Sequence, residues 1–158
     1  MDSAAGTLSD DERRAAPILV GLDGSEPSRS ALNWAMRVAE AGGNSVVAIS
    51  TYAIPAIAMA APGFSLEPAN VQELADYTRN TVAGAVSDAS ASRPAVKVEA
   101  RVIEGPAAEV LIDASRRASL LVVGSRGYGG FVGLLLGSVS QHCVTHAHCP
   151  VMVMRPYD

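Results

Sequence analysis

The stretch Leu120–Ser140, LLVVGSRGYGGFVGLLLGSVS, changes character twice within twenty-one residues. It begins as a four-residue apolar run, continues with six glycines in fourteen positions, and ends at Ser138, where a short helix is expected to begin. A buried strand followed by a glycine loop and a helix start presents backbone N–H groups to an anion. Glycine also lets a backbone approach a ligand closely. We therefore predict that a phosphate-bearing ligand binds here.

The composition of the chain limits its class. The 158 residues are enough for one domain with a full core, and that core must consist of aliphatic residues because only 4% of the chain is aromatic. The net charge of −4 argues against nucleic-acid binding, which requires a basic surface.

Two segments lack features that would direct the chain to a membrane. Residues 1–15 are polar and acidic, without the apolar core of a signal peptide, and we expect a disordered lead. The weakly polar stretch Ala53–Phe64 is broken by Pro55 and Pro62 and is too short for a membrane span. The longer segment Ala53–Pro68 is rich in Ala, Pro and Met. We interpret it as a loop that covers the site, meets a partner or simply connects two elements. A cytoplasmic protein is expected.

Strand and helix patterns alternate along the remainder of the chain. Apolar runs predict strands, and helical spacing of apolar residues predicts the helices between them. The predicted strands are Pro17–Leu22, Ser45–Tyr52, Val96–Ile103, Leu120–Val123 and Pro150–Met154. The predicted helices begin near Ser25, Glu67, Ala107 and Ser138. Alternating strands and helices predict an α/β fold, a doubly wound parallel sheet with helices on both faces.

The predicted fold restricts where a ligand can bind. Ligands of doubly wound sheets lie beyond the carboxyl ends of the strands, where strand order reverses. Gly21 and Asp23 end the first strand, and Gly124 ends the fourth, so these residues should share one crevice. No Gly-x₄-Gly-Lys-Ser/Thr occurs, and no Gly-x-Gly-x-x-Gly follows the first strand, which excludes a P-loop NTPase and disfavours a dinucleotide-binding domain.

The spacing Gly124-x₂-Gly127-x₉-Gly137-Ser138 resembles the signature of the universal stress protein family, in its ATP-binding branch. The resemblance extends to Ile18–Ser25 and to Cys149–Arg155, and so covers Pro17 to Arg155. It implies a universal stress protein domain over residues 16–156. It also implies a Rossmann-like sheet of five parallel strands in the order 3-2-1-4-5.

The resemblance also implies a role for each site residue. Asp23 would lie beside the nucleoside, with Gly21 beneath the adenine, and Thr51 would offer its backbone to the adenine edge. The residues expected to line the ribose and phosphates are Val123, Gly124, Arg126, Gly127, Gly137, Ser138, Val139 and Ser140. Mg²⁺ or Mn²⁺ would be carried on the phosphates, because few carboxylates lie near enough to hold it alone.

Several of these residues have simpler interpretations. Asp23 could cap the first helix or its turn, and Arg126 could be a solvated loop charge. Cys143 and Cys149 lie close to three histidines, but no familiar metal-ligand spacing occurs, so we interpret both cysteines as core residues.

Three functions remain open from the sequence: an ATP-binding regulator or sensor, a weak ATP hydrolase or phosphotransferase, and a module for another adenine nucleotide such as cyclic AMP. The first is favoured, because the crevice has no histidine or lysine to serve as a catalytic base. The family resemblance implies a homodimer through the apolar fifth strand, Val151–Met154, which should form a sheet edge.

Overall fold

The computed structural model describes residues 8–53, 68–127 and 135–155. Its centre is a five-stranded parallel sheet. The strands, in chain order, are β1 (Ile18–Gly21), β2 (Val46–Tyr52), β3 (Val98–Glu104), β4 (Leu120–Gly124) and β5 (Val151–Met154). Their spatial order is β3-β2-β1-β4-β5, which confirms the predicted 3-2-1-4-5 topology. Most of the predicted loop Ala53–Pro68 lies outside the described residues, as does the middle of the glycine loop.

Five α-helices are described. They are α1 (Asp10–Ala15), α2 (Glu26–Gly42), α3 (Pro68–Ser92), α4 (Ala107–Ala114) and α5 (Ser138–His146). The predicted start of α2 near Ser25 is confirmed: the Ser25 side chain accepts a hydrogen bond from Ser28 N–H, and Gly43 ends the helix at φ 74°. After α4 the chain continues in a 3₁₀ turn, Ser115–Arg117.

The expectation of a disordered lead over residues 1–15 is wrong for Asp10–Ala15, which form α1. Ser9 and Glu12 build a capping box, in which each side chain bonds the backbone N–H of the other. The Ser9 hydroxyl and, to a smaller extent, the Ser9 backbone N–H donate to the Glu12 carboxylate and hold its pKa below its ordinary value. Asn44 then donates to the carbonyls of Arg14 and Ala16, which fixes the helix to the body of the protein. The sequence contains the capping box, but its distant partner Asn44 could not be inferred.

The sheet separates two hydrophobic cores because alternate strand residues point to opposite faces. On one face, Val20 and Val122 pack against α2 and α3. On the other, Leu19 and Leu121 pack with Leu111 of α4 and Cys143 of α5. The prediction that Cys143 lies on the buried face of the last helix is confirmed.

The two edges of the sheet differ in chemistry. On β3 the exposed Glu99 and Arg101 form an ion pair, with 2.7 Å between Arg101 Nε and Glu99 Oε1. On β5, by contrast, the residues are apolar, and Met152 is 38% exposed. Charges discourage pairing of an edge strand with another chain, and β5 has none. None of the helices within the described ranges is long and apolar enough to cross a membrane.

The carboxyl end of β4 packs directly on the start of α2. A methyl group built on Gly124 would lie 2.9 Å from Pro27 Cβ and 3.1 Å from the backbone nitrogen of Ser28. We expect Gly124→Ala to destabilise the protein by about 1–3 kcal/mol, because the α2 backbone must move. Chemical denaturation measures this change.

Gly84 provides the matched control. It lies within α3, and no atom would contact an added methyl group within 4 Å. Gly84→Ala should therefore stabilise the protein, by about 0.5–1 kcal/mol. Equal effects of the two substitutions would contradict the packing of β4 on α2.

Cys143 makes stability depend on pH. Burial, and to a smaller extent the charge of nearby Cys149, raises the pKa of the Cys143 thiol from 9.0 to about 11. Between these values the unfolded chain releases a proton that the folded protein keeps, so stability falls as pH rises, by roughly 2–3 kcal/mol. Denaturation between pH 9 and pH 11 should show a steeper fall for the parent than for Cys143→Ala. Parallel pH profiles would contradict this.

Candidate functional site

A cleft of about 390 Å³ opens beyond the carboxyl ends of β1, β2 and β4. This is where strand order reverses, and its volume lies within the range of small-molecule sites. All eleven residues predicted for the site line it: Gly21, Asp23, Thr51, Val123, Gly124, Arg126, Gly127, Gly137, Ser138, Val139 and Ser140. The structure therefore brings the predicted residues together. Which ligand they hold is a separate question.

Part of the cleft is apolar. A methyl group built on Gly21 would lie 2.9 Å from Leu111 Cδ1 and 3.2 Å from Val123 Cγ1, so these side chains meet above the end of β1. Ile49 pairs with Gly21 in the sheet and also lines this part. A flat apolar group would find a dry surface here.

Thr51 has a backbone that faces this apolar part. The pairing of β1 with β2 ends at Gly21 and Ile49, followed by one further bond from Leu22 N–H to the Ile49 carbonyl. In a parallel strand, alternate residues direct their backbone groups to opposite neighbours. Thr51 therefore directs its N–H and C=O to the β1 side, into the space beyond the end of β1. The Tyr52 carbonyl points to the β3 side, where it accepts a hydrogen bond from Gly105 N–H. The cleft thus receives one donor and one acceptor from one residue.

The glycine loop is anchored at both ends. Ser125 N–H donates to the Met154 carbonyl, and Gly137 N–H donates to the Ser125 carbonyl, each at 2.7 Å. The Ser140 hydroxyl is buried and lies 3.0 Å from both the Ser125 and Gly137 carbonyls. These bonds bring the start of α5 to the end of β4.

The Ser140 bonds change the role that the sequence indicated for its side chain. Its single hydroxyl proton is used to hold the loop, so this side chain positions the loop and does not offer a free proton to a ligand. Ser138, by contrast, is exposed and lines the cleft.

The amino terminus of α5 opens into the cleft. Its N-cap is Gly137, which makes no side-chain capping bond. The first N–H groups of a helix have no acceptor within the helix, and the helix dipole makes this end partially positive. The N–H groups of Ser138 and Val139 therefore suit an anion.

Asp23 performs the capping role that was its alternative interpretation. Its Oδ1 accepts a hydrogen bond from Ser25 N–H at 2.9 Å and another from the Ser25 hydroxyl. Its second oxygen, Oδ2, faces the glycine loop so closely that a methyl group on Gly127 would collide with it. Asp23 and Arg126 are the two charged side chains among the described residues that line the cleft, and both are exposed.

Two of the described loop glycines are needed for close packing. Neither has a positive φ, which among the described residues occurs only at Gly24, Gly43 and Gly105. At Gly124 and Gly127, by contrast, a side chain would meet Pro27 or Asp23.

Seven lining residues were not among those predicted: Leu22, Ser28, Ile49, Ser50, Ala107, Leu111 and Leu136. The helical pattern did place Leu111 on an inward face. It could not show that this face extends to the cleft, since that depends on how α4 packs on β1. Ser28 carried no signal, because a serine in a first helical turn is ordinary.

The histidines and cysteines lie away from the cleft. His142 and His146 are exposed on α5, and His142 Nδ1 pairs with the Ser138 carbonyl at 2.8 Å. Within residues 8–53, 68–127 and 135–155, no group of three or more His, Cys, Asp or Glu side chains could hold a metal ion. The described lining of the cleft contains no histidine or lysine, so it offers no evident base for catalysis.

Comparison with known proteins gives three findings. The model of the universal stress protein family matches residues 15–155. A universal stress protein of Mycolicibacterium smegmatis is 36% identical over 144 residues, which is 89% of this chain and 46% of the relative. The chain thus spans about half the length of the curated relatives it matches.

Two solved structures have the same fold. A universal stress protein family member from Burkholderia pseudomallei is 27% identical, with a TM-score of 0.66 over 89% of this chain and 96% of that one. A universal stress protein in complex with cyclic AMP is 24% identical, with a TM-score of 0.63 over 88% and 95% of the two chains. The chain belongs to the universal stress protein family.

Proposed function

We propose that this protein binds ATP in the cleft and acts as a nucleotide-dependent regulator or sensor in a stress response. The observation that carries the proposal is the meeting, in one cleft, of an apolar wall, a free strand edge and an open helix amino terminus. The base needs the first two of these environments and the phosphates need the third.

The base would lie against the apolar part of the cleft, which Gly21, Leu111 and Val123 line. Adenine has an acceptor at N1 and a donor at its 6-amino group, side by side. The N–H and C=O of Thr51 complement this pair. The threonine side chain is not needed for the contact, so the difference from the Val or Ala common at this position in the family is compatible with adenine.

The ribose would lie beside Asp23 and Gly127, which already approach each other closely. Asp23 Oδ1 is hydrogen-bonded to Ser25, which holds the carboxylate in place. The carboxylate could accept a hydrogen bond from a ribose hydroxyl.

The phosphates would lie at the start of α5, against the N–H groups of Ser138 and Val139. Arg126 is the one cation in Leu120–Ser140. A triphosphate carries more charge than one guanidinium balances, so ATP would bind with Mg²⁺ or Mn²⁺ between its phosphates.

Cyclic AMP is the second candidate. It carries a single negative charge, which Arg126 alone would balance, and a protein of the same fold has been solved with cyclic AMP. The match of Gly124-x₂-Gly127-x₉-Gly137-Ser138 to the ATP-binding branch favours ATP.

Binding and the Gly137 position can be tested together. The atoms nearest to a methyl group on Gly137 would be Arg126 Cα at 3.5 Å and the Ser125 carbonyl at 3.6 Å, which are ordinary contacts. We expect Gly137→Ala to fold normally and to bind Mg-ATP within about threefold of the parent. Gly137→Asp places a carboxylate where the phosphates should lie, and should weaken binding at least a hundredfold, equivalent to about 2.7 kcal/mol. Calorimetric titration measures both.

The same titration with ADP, with cyclic AMP, and without Mg²⁺ separates the candidates. Loss of ATP binding on removal of Mg²⁺ would support the ATP proposal. Preference for cyclic AMP, independent of Mg²⁺, would replace ATP by the second candidate. Equal binding of ATP by the parent and by Gly137→Asp would refute the site.

A homodimer through β5 forms part of the proposal. β5 pairs only with β4 among the described strands, and its other edge is apolar and without charge. The charged edge at β3 is less suited to pairing. A cytoplasmic location also remains a prediction.

Sedimentation tests the dimer. We expect the parent to be a dimer at micromolar concentration and Met152→Lys to be monomeric, because two lysines would meet across the two-fold axis. Tyr77→Lys is the control, since Tyr77 is 72% exposed on α3. A monomeric parent would refute the dimer.

A further inference from the structure

Leu111 closes the apolar end of the cleft. Although it lines the cleft, its side chain is only 3% exposed, because it belongs to the core formed with Leu19, Ile49 and Val123. Its two methyl carbons lie 2.9 and 3.7 Å from the position that a methyl group on Gly21 would occupy. The cleft cannot extend past this contact while Leu111 is present.

The apolar wall of the cleft is formed by Leu111, Val123 and Ile49, and none of these side chains has a hydrogen-bond donor or acceptor. A polar substituent pressed against them would lose its water without gaining a partner, which disfavours binding. A bulky substituent would have to displace a side chain that is held in the core.

We infer that Leu111 is a specificity-determining residue, which admits adenine and rejects purines that carry an additional substituent on the edge facing it. This inference rests on the proposed nucleotide site. It adds that the choice of base depends on a residue of α4, which lies outside the glycine loop.

The experiment compares three nucleotides on two variants. The probes are the adenine nucleotide that the parent binds, its 2,6-diaminopurine analogue and its N6-benzyl analogue, all with the same phosphates. The 2,6-diaminopurine analogue enlarges the base at C2, and the N6-benzyl analogue enlarges it at N6. Together they test both edges of the base that could face Leu111. The parent should bind at least one analogue about tenfold or more weakly than the adenine nucleotide, and Leu111→Ala should reduce that difference at least tenfold.

Leu121→Ala is the matched control. Leu121 is fully buried in the same core, on β4, but does not line the cleft. Leu121→Ala removes the same side-chain atoms as Leu111→Ala, so a general loosening of this core would change selectivity in both of these variants. The inference requires that Leu121→Ala keep the selectivity of the parent.

Gly21→Ala provides a second measurement, in which the space beside Leu111 is made smaller and not larger. Its methyl group would push Leu111 Cδ1 toward the cleft, so affinity for the adenine nucleotide should fall about tenfold or more. Affinity should recover in the double variant Gly21→Ala/Leu111→Ala, where the colliding carbon is absent. If Leu111→Ala fails to fold, Leu111→Val replaces it in both comparisons.

The outcomes distinguish this inference from the proposed function. A parent that binds no adenine nucleotide refutes both. A parent that binds the adenine nucleotide and both analogues equally, or whose selectivity is unchanged by the Leu111 substitutions, refutes the role of Leu111 and leaves the proposed function intact. Equal changes in Leu121→Ala would also overturn the inference.

Discussion

The close approach of β4 to the start of α2 is the contact on which the cleft depends. Gly124 makes this approach possible, because any side chain would meet Pro27 and the backbone of Ser28. The same approach aligns the end of β4 beside Asp23, at the end of β1. The glycine loop therefore begins beside the turn that starts α2. A bulkier residue at Gly124 would separate these two chain segments and widen the cleft between them.

Hydrogen bonds then fix the far end of the loop to its beginning. The Ser125 carbonyl accepts from Gly137 N–H and lies within bonding distance of the Ser140 hydroxyl. Met154, at the end of β5, accepts from Ser125 N–H. These bonds hold the start of α5 beside the end of β4 before a ligand arrives, so ligand binding need not order this contact. The open N–H groups of α5 are consequently preorganised for an anion.

Much of this arrangement was accessible from the sequence, because it depends on local patterns. Strand and helix alternation predicted the parallel sheet, and the family resemblance implied the eleven residues that the structure brings to the cleft. The inaccessible parts depend on distant contacts. Asn44 holds α1 from across twenty-eight residues or more, and Leu111 reaches the cleft only because α4 packs on β1. The bonds of the Ser140 hydroxyl to the loop could not be inferred, because a serine in a glycine loop bonds either a ligand or the loop itself, and sequence does not distinguish the two.

The groups that line the cleft take their positions from the fold. They include backbone N–H and C=O groups, apolar side chains and two exposed charges of opposite sign. The open N–H groups belong to the start of α5, and the backbone groups of Thr51 belong to the end of β2, so both are placed by secondary structure. The apolar wall at Leu111 belongs to the core as well as to the cleft. The geometry of the cleft therefore depends on how the sheet and its helices pack.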